Sequence, residues 1–366
     1  MERLKVHFVG THGVPAKYGG FETLVDFLCQ HVSGKDITVY CSSSKYKERK
    51  ANYYNASLVY VPISANGFKG IFYDMVSMYR ALRDAEVVVL LGPAGSGFFT
   101  LMNRFFKKKL IINHGGLNEW EREKLSFVQQ KFAKFNHRIA AKQANINIVD
   151  NELYKNSLKE NFGVESVVIR YGGDHVQQIS LTDRTDLADK YPFVTEQYAV
   201  SVSRAQIDNN LHLLLEAFEN FNQYKLVLIS NWNISNYGKE LYRKYNNNPN
   251  IILLEAIYDK ESLDFIRSNA YIYIHTHSRC GTAPSLVEAM NLGKAIVSYD
   301  APTNRETTQE QAFFFSDKDA LIRILENLDE DEIHENSILM KKIALEHYTW
   351  NIVAMQYKNY IETKEI

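Results

Sequence analysis

Four short stretches hold the residues whose types and spacing can do chemistry. The first is GTHGVPAKYGGFETLVDFL, Gly10 to Leu28. It follows the apolar run LKVHFV and leads into an amphipathic pattern, with Phe21, Leu24, Val25 and Leu28 at i, i+3, i+4 and i+7. Strand, Gly-rich turn and helix in that order make an anion-binding layout. Gly19 and Gly20 let the backbone approach a ligand, and the helix start offers unpaired N–H groups and partial positive charge. The spacing is neither G-x-G-x-x-G nor the P-loop pattern, and a tight turn that binds nothing is the plainer alternative. The second stretch is SRAQIDNNLHLLLEAF, from Ser203. Arg204 stands one residue beyond a strand, where a guanidinium can take phosphate bidentately, or else pair with a surface acid.

The third stretch, HTHSRCGTAPSLVEAMNLGKAIVSYD from His275, is the most informative. A strand ends, a loop with Gly281 and Pro284 follows, and a helix begins near Ser285. The backbone amides of Gly281, Thr282 and Leu286 are then placed to face an anion. Glu288, one turn into that helix, can take two neighbouring hydroxyls, as in ribose recognition, or simply offset the helix dipole. The fourth is LIINHGGLNEWEREKL, in which Asn113, His114 and a glycine pair follow a strand and precede a helix carrying Glu119 and Arg122. A histidine there is a candidate base or hydroxyl-orienting group, although a lone histidine is more often structural.

The elements that must position these loops alternate along the chain. Apolar runs at 4–10, 36–41, 57–61, 86–92, 109–113, 146–150 and 166–170 form a first set of strands. Runs at 197–203, 224–230, 250–255, 270–275 and 294–300 form a second. Near-continuous Val/Ile/Leu strands separated by amphipathic helices predict parallel sheets covered on both faces. The polar stretch 172–196 separates the two sets. The expectation is two doubly wound α/β domains: 1–175 with a returning terminal helix at about 347–366, and 190–345. Ligands bind such sheets beyond the carboxyl ends of strands, and the four stretches all follow strands.

A length of 366 residues fits two domains, and 45% hydrophobic with 23% charged residues fits a globular protein. A net charge of −1 gives no general pull toward nucleic acid. Three cysteines without metal-ligand spacing predict a reducing cytoplasm and no disulfide framework. No signal peptide is read at the N-terminus, and the longest uncharged run is broken by Gly-Pro-Ala-Gly. Between Leu101 and Lys142 ten Lys/Arg stand against three acids, with Phe105, Phe106, Phe127 and Phe132 among them. That composition suits an anionic bilayer surface, or an ordinary solvated helix.

Together these residues resemble glycosyltransferase family 4, of the GT-B fold. More narrowly they are similar to its bacterial polysaccharide rhamnosyltransferase subgroup, with the signature GT-x-G-[IV]-PA-x-YGGFET at Gly10 to Thr23. The block GGT-x-PSLVEAM-x-LG stands here as Cys280 to Met290 with Leu292 and Gly293, and YNRETT as Thr303 to Thr308. The ending YTW-x-x-x-A-x-x-Y, Tyr348 to Tyr357, resembles the helix that returns to the first domain. Cys280 replaces the first of two family glutamates, and Asn209 stands where the wider family has a phosphate-binding lysine. The subgroup's D-G-L-E-W stretch has lost its Asp.

The resemblance implies two Rossmann-like domains facing across a cleft and retaining transfer of a sugar, without a metal or other cofactor. Catalytic roles fall to Arg204, Glu288 and His114. Donor contacts fall to Gly19, Gly20, Gly281, Thr282, Ser285, Leu286 and Asn209, with Ile257 and Tyr258 lining the base pocket. The acceptor side falls to Tyr18, Glu22, Asn113, Glu119 and Arg122. The implied donor is dTDP-L-rhamnose, with a UDP- or GDP-sugar as the alternative. The implied acceptor is a sugar or an undecaprenyl-diphosphate-linked sugar, handled in the cytoplasm or at the inner face of the plasma membrane. A nucleotide-sugar epimerase and a catalytically silent sugar-nucleotide-binding protein are the rival readings.

Overall fold

The computed structural model describes residues 3–17, 19–116, 118–121 and 125–363, without the side chain of Glu119. The expected acceptor-side residues Tyr18 and Arg122, and the side chain of Glu119, therefore lie outside the described residues. The chain divides into two compact units, Met1–Tyr171 with Trp350–Ile366, and Gly172–Thr349.

In the first unit the apolar runs become β1 (Lys5–Val9), β2 (Asp36–Ser42), β3 (Asn52–Tyr53), β4 (Ala56–Val61), β5 (Val87–Leu91), β6 (Lys109–Asn113), β7 (Ile146–Val149) and β8 (Val167–Val168). They form one sheet in the order β3-β4-β2-β1-β5-β6-β7-β8, parallel except for the β3–β4 pair. All five residues of β5 are buried because helices cover both faces, which is why the run reads as unbroken Val and Leu. One face packs Val6, Phe8, Val39, Val89 and Ile111 against the helices Gly20–His31 and Trp350–Glu362. Trp350 stacks on Phe27, with ring centres 4.4 Å apart and planes 9° from parallel.

The second unit holds β9 (Tyr198–Val202), β10 (Lys225–Ser230), β11 (Ile251–Glu255), β12 (Ile272–His275), β13 (Ala295–Tyr299) and β14 (Phe313–Phe315). This sheet is parallel throughout, in the order β11-β10-β9-β12-β13-β14. The polar stretch after Tyr171 packs within this unit: the Gln177 amide donates to Asp264 (3.0 Å) and the Ile179 amide to Ser268 Oγ (3.1 Å).

Local details differ from the sequence reading. The run SVVIR shortens to the two residues of β8, and the two-residue β3 and three-residue β14 carry too few residues for a period-2 pattern to register. The terminal helix expected at about 347–366 spans Trp350–Glu362, and a separate helix, Glu330–His347, ends just before it. Among the described residues no helix is long and apolar enough to cross a membrane.

Candidate active site

In the second sheet the strand order reverses between β9 and β12, because successive strands were added outward on both sides of that pair. Loops leaving the two strands diverge there and open a crevice at their carboxyl ends. Arg204 follows β9 and is exposed, and His277 and Gly281 lie on the loop after β12. The loops are stitched together. Ser278 donates from its amide (3.0 Å) and Oγ (2.9 Å) to the Asp208 carbonyl, and Asn210 Nδ2 donates to the Thr276 carbonyl (3.2 Å). Asn304, from the YNRETT-like block, donates to the carbonyls of His277 (2.9 Å) and Tyr299 (3.0 Å).

Asn209 is buried, and its Nδ2 donates to the Arg204 carbonyl at 2.7 Å. Its side chain thus fixes the backbone that carries Arg204. His277, which the sequence reading passed over, has Nε2 2.8 Å from Ser203 Oγ. Burial, with the nearby Arg204 charge, pulls its pKa down to about 4, so it is neutral at physiological pH. His275, His277 and Cys280 bring three ligand-type atoms within 4.8 Å of one another, a grouping not singled out in a sequence expected to need no metal.

The helix Pro284–Asn291 opens with proline at its first turn, and the Leu286 amide donates to the Ala283 carbonyl at 3.1 Å. Leu286 therefore has no amide to offer an anion, which corrects the sequence reading. Thr282 is buried, while Gly281 and Ser285 remain partly exposed on the loop and first turn. Ile257 is half-buried and Tyr258 exposed on the loop beyond β11.

Glu288 sits in an ion network. The buried Arg267 guanidinium bridges Asp264 (2.6 Å) and Glu288, and His175 Nε2 lies 3.2 Å from the other Glu288 oxygen. Burial pushes the Glu288 carboxyl up, but Arg267 and His175 more than reverse this and leave it at about 2. The carboxylate is ionised, fixed in direction, and 16% exposed. Each oxygen has one protein partner and a further lone pair, the condition for accepting from a pair of hydroxyls.

In the first sheet the order reverses between β1 and β5, and the Gly-rich loop leaves β1 at that place. Gly10 has φ +89°, and a Cβ there would lie 2.2 Å from the Leu91 carbonyl oxygen, so the turn requires glycine. Gly19, at φ +116°, caps the helix Gly20–His31. Glu22 is buried, and its Oε1 accepts from the His12 amide (3.2 Å) and lies 2.5 Å from His12 Nδ1. His12 Nε2 faces Asn66 Oδ1 at 2.9 Å. The Glu22 hydrogen bond raises the His12 pKa against the opposing effect of burial. Glu22 is thus a support for His12, and neither partner was paired in the sequence reading.

Asn113 and His114 are interior. Asn113 Nδ2 donates to Tyr357 Oη (2.6 Å), and its Oδ1 accepts from the Gly115 amide (2.7 Å). His114 is fully buried, with Nε2 2.9 Å from Asn147 Oδ1 and Nδ1 3.1 Å from His137 Nδ1. The Asn147 amide nitrogen is committed to the carbonyls of Ala141 and Glu165, so Oδ1 accepts and His114 Nε2 carries the proton. Burial, only partly offset by Asn147, lowers the His114 pKa to about 4. Both ring nitrogens are engaged away from solvent, so the position does not fit a base or an orienting group for an acceptor hydroxyl. The cover comes from the helix Phe127–Gln143 and from β7, which sequence spacing could not place over this strand end.

Two parallel doubly wound sheets, each with its functional loops at the point of strand reversal, define a GT-B fold. Residues 183–343, within the second unit, match the family described as Glycosyl transferases group 1. Residues 3–174 match a domain of unknown function, DUF1972. Among curated proteins none matches the sequence. The fold is similar to sucrose-phosphate synthase from Thermosynechococcus elongatus, with TM-score 0.81, 15% identity and 98% of each chain covered. It is also similar to HepE from Anabaena, solved in complex with UDP and glucose, with TM-score 0.75, 14% identity, and 98% of this chain and 99% of that one covered. A glycosyltransferase from Rickettsia africae gives TM-score 0.73 at 13% identity, over 99% and 98% of the two chains.

Proposed function

We propose that the protein transfers a glycosyl group from a nucleotide-sugar donor to an acceptor hydroxyl. The observation that carries this reading is the second unit's strand-reversal crevice, where an exposed arginine and a fixed, ionised glutamate flank a Gly-Thr loop within the residues that match Glycosyl transferases group 1. In the reaction the bond from the anomeric carbon to the diphosphate breaks. A bond to the acceptor oxygen forms, and the acceptor proton passes to the departing diphosphate. Arg204 stabilises the charge that builds on that diphosphate, the kind of preorganised electrostatic assistance that contributes most in catalysis. Glu288 accepts from the ribose hydroxyls, and Ile257 and Tyr258 border the base.

The finer reading is retaining transfer, without a metal, of L-rhamnose from dTDP-L-rhamnose to a lipid-linked sugar in the synthesis of a bacterial surface polysaccharide. The solved complexes of HepE with UDP and with UDP-glucose favour a second donor class, the UDP-sugars. The test is incubation of the chain with dTDP-rhamnose, UDP-glucose and a GDP-sugar, with and without an undecaprenyl-diphosphate-linked acceptor and with chelator. Product is read by mass and by the anomeric proton coupling. Transfer with the donor's anomeric configuration, dependent on acceptor and lost in Arg204→Ala, supports the reading. Turnover of the sugar nucleotide without acceptor supports the epimerase rival. Binding without any turnover supports the silent one.

A further inference from the structure

The helix Phe127–Gln143 buries small and polar side chains and shows large apolar ones. Its inward stripe is Ala133, Asn136, His137, Ala140 and Ala141. Outward stand Phe127 and Val128, 68% and 74% exposed, with Phe132 and Phe135 also exposed. Lys131, Lys134, Arg138 and Lys142 are exposed on the same helix, and Lys131 Nζ lies 4.3 Å from the centre of the Phe127 ring. A globular helix places its apolar side chains toward the core, so this arrangement is not explained by packing.

A neighbouring segment extends the face. The Phe98 amide donates to Asn136 Oδ1 at 2.8 Å, and a Cβ on Gly97 would lie 2.3 Å from the Asn136 carbonyl oxygen, so glycine permits the close approach. That contact sets exposed Phe98 beside the helix, and exposed Arg104, Phe105 and Lys107 follow on the continuing segment. Residues 98–107 and 126–143 together hold six Lys/Arg, all exposed, and no Asp or Glu.

We propose that this face docks on an anionic phospholipid surface. The chemistry selects that occupant. A second copy of the chain would set one predominantly cationic face against another. A polynucleotide would satisfy the cations but draw little from Val128 and the protruding phenylalanines. A bilayer with anionic headgroups takes both, the cations at the headgroups and the aromatic rings at the acyl boundary. The inference does not rest on the donor reading, because it involves none of the donor-binding residues.

The experiment is co-sedimentation of the full chain with phosphatidylcholine vesicles and with vesicles mixed with phosphatidylglycerol, at low and high salt. The variants are Lys131→Gln with Lys134→Gln, and separately Phe127→Ser with Phe135→Ser. All four side chains are exposed, so circular dichroism should match the wild type. The expected result is binding to the anionic vesicles only, weakened by salt, weakened roughly fivefold for each cation removed, and lost in the phenylalanine pair. Absence of sedimentation with anionic vesicles at low salt overturns the proposal. So does binding that both variant pairs leave unchanged, or a wild-type dimer that the phenylalanine pair dissociates while vesicles stay unbound.

Discussion

Replacing Arg267 by methionine removes the cation between Asp264 and Glu288 while keeping most of the side-chain volume. Two nearly buried carboxylates are then left without their common partner. Breaking a buried pair in this way costs about 3–5 kcal/mol. The Glu288 pKa gives a second route to the magnitude. It lies at about 2 against an ordinary 4.5, and that difference of about 2.5 units corresponds to about 3 kcal/mol. The shift also contains burial and His175, so it sets only the order of magnitude. The sign follows from the depressed folded-state pKa. The stabilisation is fully present above pH 4.5 and is lost as pH falls from there toward 2. In Arg267→Met the part due to Arg267 is absent at neutral pH as well, and only the part due to His175 remains. Two separate units need not unfold together, so hydrogen exchange should be read by mass spectrometry over β9, β12 and the helix Pro284–Asn291. Protection there should fall by about 3 kcal/mol in the variant at pH 7, with a flatter acid limb than the wild type. A loss below about 1 kcal/mol, or an unchanged acid limb, would refute the assignment of Glu288 as an ion held by Arg267.

Further outcomes follow from the first unit. The His12 pKa is raised in the folded state, so its pairing with Glu22 stabilises fully below about pH 6.5 and is lost as pH rises through the higher folded value. Urea midpoints of this unit should therefore fall with rising pH in the wild type and lose that slope in Glu22→Gln. Gly10→Ala places a Cβ 2.2 Å from a backbone carbonyl at positive φ. It should destabilise the unit by about 3 kcal/mol or more, read as the shift in its urea midpoint. His114→Gln should shift that midpoint, because it disturbs the buried Asn147 and His137 bonds. It should leave the rate of transfer per folded molecule nearly unchanged; a large fall in turnover at full folding would restore His114 to the chemistry.

The parts of the fold legible in the sequence were those governed by local patterns. EVVVLLG and AYIYIH read as strands because parallel strands covered on both faces are apolar at every position. Phe313–Phe315 did not, because three residues carry no period. The placement of Arg204 and the Gly281–Thr282 loop beyond strand ends was legible because each lies a few residues past an apolar run. The partners of Glu288 were not. Arg267 comes from the preceding helix Lys260–Ser268 and His175 from a polar stretch with no strand or helix signal, and only tertiary packing joins them. The same limit explains Asn113 and His114. Polar residues at a strand end look ready for a ligand until the neighbouring strand and a covering helix enclose them.

The central claim, that the second unit holds a nucleotide-sugar by its diphosphate at Arg204, is tested most directly by nucleotide-dependent stabilisation of wild type and Arg204→Ala. Because Arg204 is exposed, its removal should change stability without ligand by no more than about 0.5 kcal/mol. Ligand at a hundredfold excess over its dissociation constant adds about 2.7 kcal/mol to a protein that binds it. The account predicts that dTDP or UDP stabilises the wild type by that order and that Arg204→Ala does not respond at the same concentration. Stabilisation of both proteins alike, or of neither by any of dTDP, UDP and GDP, would contradict it.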